Sequence, residues 1–139
     1  MLDTIREFGR DGAVLLLGLA VGAAWVTAIV APNTSYDHLS AKQAETHVRE
    51  LLKSASDPIA VILFVAAGLG ILGGAVVSGI LALIAAIGFF TNRWILKSFK
   101  SDRGKEEAPG KTQRILAVSL TLLFGLAAAA AAVLAVLGL

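Results

Sequence analysis

Two histidines, His38 and His47, are the residues best suited to acid–base chemistry or metal binding in this chain. Imidazole changes its charge near neutral pH and is a common metal ligand. Three carboxylates lie nearby, at Asp37, Glu45 and Glu50. A zinc or haem site would need a tighter arrangement, such as two histidines four residues apart on one helix. We therefore predict surface histidines, with no metal, no cofactor and no catalytic residue.

The sequence lacks the other motifs that commonly mark a catalytic or cofactor-binding site. There is no cysteine, so disulfides, thiolate metal sites and cysteine nucleophiles are excluded. Neither a phosphate-binding loop nor a nucleophile elbow is present. The sequence predicts that the protein is not an enzyme.

Long apolar blocks dominate the chain, which is 57% hydrophobic. Residues 13–31, 59–90 and 115–139 each run for at least 18 residues without a charged side chain, which is typical of membrane-spanning helices. A proton-coupled transporter would need ionisable groups within these spans. Only hydroxyl groups lie there, and a permease path would have to use Ser78, Ser119 and Thr121.

The middle block decides the number of spans. Residues 58–92 carry no charge, and one helix over them would be about 52 Å long at ~1.5 Å per residue. A bilayer core is only about 30 Å thick. We predict a hairpin that turns at Gly73-Gly74, because adjacent glycines accept turn dihedrals. The alternative is one long span, which gives three spans in all.

The predicted fold is therefore an all-α helical bundle, with residues 1–139 forming a single membrane domain. Its four spans cover about residues 13–31, 58–72, 75–96 and 115–137, and residues 101–111 form a polar loop. Pro32 is expected to end the first span, and Asp57-Pro58 to start the second as N-cap and first helical residue. Between them, residues 41–54 are predicted to form an amphipathic helix on the membrane surface or on the bundle.

Small residues spaced four apart predict where helices pack, because they let two backbones approach closely in lipid. Gly18 and Gly22 could form a seam within the chain or a homodimer face, or their spacing could be coincidental. The predicted packing residues are Gly18, Gly22, Gly70, Gly74, Ser78, Gly125, Ala128 and Ala132.

Charge predicts the orientation. Residues 91–114 hold seven basic and three acidic side chains, an excess typical of a cytoplasmic loop beside anionic lipid headgroups and not of nucleic-acid binding. We predict a multi-pass protein of a bacterial inner membrane with this loop in the cytoplasm. The predicted interfacial anchors are Trp25, Arg93, Trp94, Lys97, Phe99 and Lys100.

Two motifs together suggest a family. Residues 22–32 (GAAWVTAIVAP) precede Leu39 and an amphipathic segment that ends at Asp57-Pro58, and Thr91-Asn92-Arg93-Trp94 leaves a later span. This combination resembles the small four-helix membrane family typified by transmembrane protein 205. It is similar, more weakly, to the anthrone-oxygenase-like membrane family. The resemblance implies four spans, although the connection between spans two and three is almost absent here.

Three functions follow as expectations. The first is a non-catalytic accessory subunit that packs within a larger membrane complex, with the lipid bilayer and other membrane-protein subunits as partners, or a second copy of itself. The second is an oligomeric permease for a small solute or lipid. The third is an anthrone-oxygenase-like enzyme, in which His38 and His47 would be the acid–base groups.

Overall fold

The computed structural model describes the backbone of residues 1–101 and 109–139, and the side chains of residues 1–94 and 115–139. The described chain is helical with no strand, so the all-α prediction is confirmed. The elements are α1 (Leu2–Trp25), a π-helical turn (Val26–Val30), α2 (Ala31–His38), α3 (Ala41–Leu72), α4 (Val76–Ser101) and α5 (Pro109–Val136).

These elements form a four-helix bundle. The first helix, the π-helical turn and α2 run as one helix over Leu2–His38. Each helix packs beside its neighbour in the order α1, α3, α4, α5, and α5 closes the ring against α1. Among the described residues, four helices are long and apolar enough to cross a membrane, so the prediction of four spans is confirmed. We call the end with the α3–α4 turn the turn end, and the opposite end, where α2 leads into α3, the connection end.

The predicted hairpin is present at Gly73-Gly74. Gly74 has φ +82°, a left-handed conformation that side chains resist. The Ala75 N–H donates to the Gly70 carbonyl oxygen at 2.8 Å and closes the turn. Gly73 lies directly against the backbone of Arg10 on α1, where a Cβ would overlap the chain. The turn therefore requires glycine for two different reasons, a dihedral angle and a close approach.

The prediction that Pro32 ends the first helix is wrong. A π-helical turn precedes the proline, and the Ala31 N–H reaches back five residues to the Val26 carbonyl. Pro32 follows as the second residue of α2. The helix therefore continues past the proline, with a π-helical turn directly before it.

The amphipathic helix predicted over residues 41–54 is present and packs on the bundle, which is one of its two predicted positions, but it is not a separate element. It is the first half of α3, which continues through Pro58 to Leu72. Val48 and Leu52 are buried and pack against Ala117 of α5. Burying this apolar stripe against α5 removes it from the membrane surface.

The prediction that Asp57 caps a new helix is wrong, because Asp57 and Pro58 both lie inside α3.

Alanine fills most of the core at mid-bundle. Leu17, Leu63 and Phe89 are its largest buried apolar side chains. Around them, the alanines let the four helices approach closely, which is how helices hold together in lipid. These alanines are Ala20, Ala24, Ala60, Ala66, Ala67, Ala82, Ala85, Ala86, Ala128 and Ala131.

Candidate functional site

Each helix of the bundle has a buried polar side chain toward the connection end. Ser35 is buried about two turns beyond Thr27 on the first helix. The four that lie closest in height are Thr27, Ser56, Asn92 and Thr121, and none is more than 7% exposed. We call this group the polar layer. It contrasts with the alanine-rich core at mid-bundle, where buried side chains are apolar.

Contacts between neighbouring helices place the four residues at similar height. Asn92 bonds directly to Thr121 across α4 and α5. On α3, Ser56 precedes Asp57, whose carboxylate pairs with Arg93, the residue after Asn92. One turn from Thr121, Gly125 meets Ala24 of α1, which brings Thr121 to the level of the π-helical turn. These contacts therefore place the four residues at a similar height in the bundle.

Hydrogen bonding in the layer leaves an excess of acceptors. The hydroxyls of Thr27, Ser56 and Thr121 each donate to the carbonyl oxygen four residues earlier, all at 2.7 Å. Asn92 Nδ2 donates to Thr121 Oγ1 at 3.0 Å. The hydroxyl hydrogens are thus used within their own helices. Apart from the second N–H of Asn92 Nδ2, the remaining side-chain groups of the layer can only accept.

Three buried side-chain atoms have no hydrogen-bond partner among the described residues: Arg49 Nε, Asp57 Oδ1 and Asn92 Oδ1. All three belong to the connection-end half of the bundle. An unpartnered buried polar group costs about 1–3 kcal/mol, so native proteins usually satisfy it. Asn92 is completely buried. Its side-chain oxygen is therefore the one of the three for which a missing hydrogen bond costs most.

An ion pair joins the layer to the protein surface. Arg93 Nη1 lies 2.8 Å from Asp57 Oδ2, and the two side chains are 42% and 40% exposed. The second oxygen of the same carboxylate, Oδ1, is buried. Asp57 therefore has one oxygen at the half-exposed ion pair and the other inside the bundle.

Aromatic rings lie beneath the polar layer, toward mid-bundle. Phe89 is one turn from Asn92 on α4, and Phe124 is one turn from Thr121 on α5. Their ring centroids are 6.3 Å apart with the planes tilted by 53°. A Cβ on Gly88 would overlap the Phe124 ring, so Gly88 makes the space for that ring. We call Phe89 and Phe124 the aromatic pair.

An apolar groove of about 280 Å³ runs between α1 and α5 beside the layer. Ala24, Gly125 and Ala129 are its small lining residues, and Trp25 and Thr121 also line it. The other lining residues are Val21, Ile29, Leu122 and Leu126. Its apolar surface suits contact with hydrocarbon.

Several predicted packing residues do pack within the chain. Gly70 meets the backbone of Gly79 where α3 crosses α4, and Ser78 Oγ donates to the Ala131 carbonyl oxygen of α5 at 2.7 Å. Gly125 meets Ala24, as described above. Two alanines of α5 also belong to the core, Ala128 fully and Ala132 in part. Gly74, in contrast, does not pack against another helix, because a Cβ at this position would meet open space. It is part of the α3–α4 turn.

Gly18 and Gly22 do not form the predicted seam within the chain. Both are exposed, and a Cβ on either would meet nothing within 4 Å. The reason is rotational: α1 turns Leu17, Ala20 and Ala24 toward the bundle, which directs the two glycines outward. The homodimer face remains a prediction.

The predicted interfacial anchors lie at the connection end. Trp25 is 56% exposed and Trp94 75% exposed, at the height of the polar layer. Rings at this height suit a headgroup region. Arg93 forms the ion pair with Asp57. The predictions for Lys97, Phe99 and Lys100 lie outside the residues whose side chains the structure describes.

The residues predicted for a permease path and for catalysis are scattered. Ser78 and Thr121 are buried at different heights, while Ser119 is exposed, so these three line no common cavity in the described bundle. His38 and His47 are both exposed, and His38 Nδ1 lies 3.0 Å from the Thr34 carbonyl oxygen.

Sequence reasoning missed the polar layer. Asn92 was noted only in the motif that leaves a later span, and Ser56 was not singled out. A usable signal was present: residues 78, 82, 85, 89 and 92 alternate at spacings of four and three, the pattern of one buried helix face. That pattern includes Asn92 on the inner face of α4.

Comparisons with protein-family models, with curated proteins and with solved structures find no match to this chain.

Proposed function

We propose that this protein is a non-catalytic membrane protein that packs as an accessory subunit within a larger membrane assembly. The observation that supports it is the use of the buried residues. Glycine and alanine bring the helices together, and among the described residues the buried side chains of Ser78 and Asn92 bond from α4 to α5. The described interior thus serves packing.

The outward face of α1 is the surface we assign to a partner helix. Gly18 and Gly22 lie there beside the exposed Leu15 and Leu19. Elsewhere in the bundle, glycines such as Gly70 and Gly73 touch a neighbouring backbone. A second transmembrane helix could approach Gly18 and Gly22 in the same way.

We further propose a bacterial inner membrane, with the connection end in the cytoplasm. In a four-span topology, residues 32–58 and 91–114 share one side of the membrane and carry three and seven basic side chains, against two in residues 1–12. This asymmetry agrees with the positive-inside rule. The four-helix layout is also compatible with the proposed relationship to the transmembrane protein 205 family.

The first experiment extracts the protein from its native membrane in mild detergent and measures the mass of the intact particle. The accessory role predicts a large hetero-complex that Gly22→Leu dissociates, because a bulky side chain would keep the partner helix away. Gly68→Leu is the matched control, since Gly68 is equally open on α3.

Other outcomes would favour the other functions. A lone monomer or small homo-oligomer would contradict the accessory role and make the oligomeric permease the leading hypothesis. Loss of a turnover activity on replacing both His38 and His47, with the particle intact, would instead favour the anthrone-oxygenase-like enzyme. A hetero-complex that survives Gly22→Leu would keep the accessory role but exclude the outward face of α1 as its interface.

A further inference from the structure

We propose that the polar layer binds water that enters beside the Asp57–Arg93 ion pair, and that the aromatic pair stops this water before mid-bundle. The bundle would then be hydrated from the connection end only. This inference concerns the interior of the chain and does not depend on the proposed accessory role.

The first argument is the imbalance between acceptors and donors. Asn92 Oδ1 and Asp57 Oδ1 are buried without a partner among the described residues. Nearby, the hydroxyls of Ser56 and Thr121 already donate to their own helices. The one donor of the layer without a bond in the described residues is the second N–H of Asn92 Nδ2, and it cannot reach the Oδ1 of its own amide. Water supplies two donors, and buried waters typically bind such unsatisfied groups.

The second argument is access from the surface. The Asp57 carboxylate has one oxygen at the half-exposed ion pair and its other oxygen buried. Arg93 is adjacent to Asn92 in the sequence, so the ion pair and the amide belong to neighbouring positions of α4. The Asp57 carboxylate therefore extends from the half-exposed ion pair into the bundle, on the side where α4 carries the completely buried Asn92.

The third argument is the barrier below. Phe89 and Phe124 lie one turn beneath Asn92 and Thr121, and Gly88 makes the space that the Phe124 ring fills. Beyond them the core is alanine and leucine. The next buried polar side chain on α4 is Ser78, whose hydroxyl is already bonded to Ala131. Apolar constrictions of this kind exclude water.

The chain offers a direct spectroscopic test, because Asn33 and Asn92 are its only asparagines. Protein labelled with ¹⁵N-asparagine in lipid nanodiscs would show two side-chain amide signals, assigned by Asn33→Ser. We expect magnetisation transfer from water to both amides. Asn33 is exposed and serves as the positive control. Transfer to Asn33 with none to an observed Asn92 signal would overturn the proposal.

A second test does not depend on observing the Asn92 signal. The absence of native cysteine makes single-cysteine variants unambiguous. Ser56→Cys reports on the layer, and Leu17→Cys reports on the core beyond the aromatic pair. We expect the Ser56→Cys thiol to react with Ag⁺ at least about tenfold faster than the Leu17→Cys thiol, because only a hydrated thiol forms the reactive thiolate. Equal, slow reaction of both, with full reaction after unfolding in detergent, would contradict hydration of the layer.

The barrier is tested in the Leu17→Cys background. Phe124→Ala should raise the Ag⁺ reactivity of Leu17→Cys by removing one ring of the aromatic pair. Phe90→Ala is the matched control, since Phe90 forms an edge-on pair with Phe64 on the outer surface. Phe124→Leu serves if Phe124→Ala fails to fold. An unchanged rate in the folded Phe124 variant would exclude the aromatic pair as the barrier.

Discussion

The two ends of the bundle are built differently. At the turn end, backbones meet directly: Gly9 lies against Leu69, Gly73 against Arg10, and the N–H groups of Val77 and Ser78 donate to the Leu139 carbonyl oxygen. At the connection end, the helices enclose hydroxyls, an amide and an ion pair, and three buried atoms lack partners among the described residues. Close packing dominates one end, and polar groups the other.

The difference shows that small residues and polar residues hold helices together in lipid in different ways. Glycine permits close approach but gives no directional bond, so it suits the rigid turn end. Hydroxyl and amide groups give directional bonds but require partners. The connection end therefore carries the unsatisfied groups, and the predictions below test whether the two ends respond as differently as their contacts imply.

The largest effect is expected at Gly73. Gly73→Ala would force its Cβ into the backbone of Arg10, which cannot move as a side-chain end could. We expect a loss of about 3 kcal/mol in the free energy of unfolding, the upper range for overpacking. Reversible unfolding in sodium dodecyl sulfate measures it.

Gly74→Ala is the matched comparison for Gly73→Ala, because Gly74 has open space around it but φ +82°. Its cost should be only about 1–2 kcal/mol, from the left-handed dihedral alone. Equal effects at the two glycines would mean that helix α1 does not contact the turn as closely as described.

An intermediate effect is expected at Gly88, beneath the polar layer. Gly88→Ala meets the Phe124 ring, a side chain that can shift, so we expect a loss of about 2 kcal/mol. Combining it with Phe124→Leu should recover part of the loss, and a double-mutant cycle in the same unfolding assay measures the coupling. Strict additivity would contradict contact between the two residues.

The smallest effect is expected at Ser78, which bonds to the Ala131 carbonyl oxygen between α4 and α5. Ser78→Ala should lower the free energy of unfolding by about 0.6 kcal/mol, the typical value for such bonds in membranes. Ser119→Ala, at an exposed position of α5, is the control and should be neutral. A loss at Ser119 as large as that at Ser78 would assign the effect to serine removal in general.

Local patterns predicted the spans and the hairpin correctly because both depend on short-range constraints. An uncharged stretch too long for one crossing must fold back, and Gly73-Gly74 is the local place where it can. The two prolines misled the same reasoning. Pro32 and Pro58 looked like helix termini, but the first helix continues through a π-helical turn at Pro32 and α3 runs on through Pro58.

The sequence by itself determined the all-α class, the four apolar helices and the glycine turn, because hydropathy and backbone dihedrals act within a few residues. Only the tertiary structure decided which way Gly18, Gly22 and Ser56 face. The two glycines point outward and Ser56 points inward, although their local sequences do not distinguish these directions clearly. The physical reason is that facing depends on how each helix is rotated against its neighbours, which is settled by packing across the whole bundle.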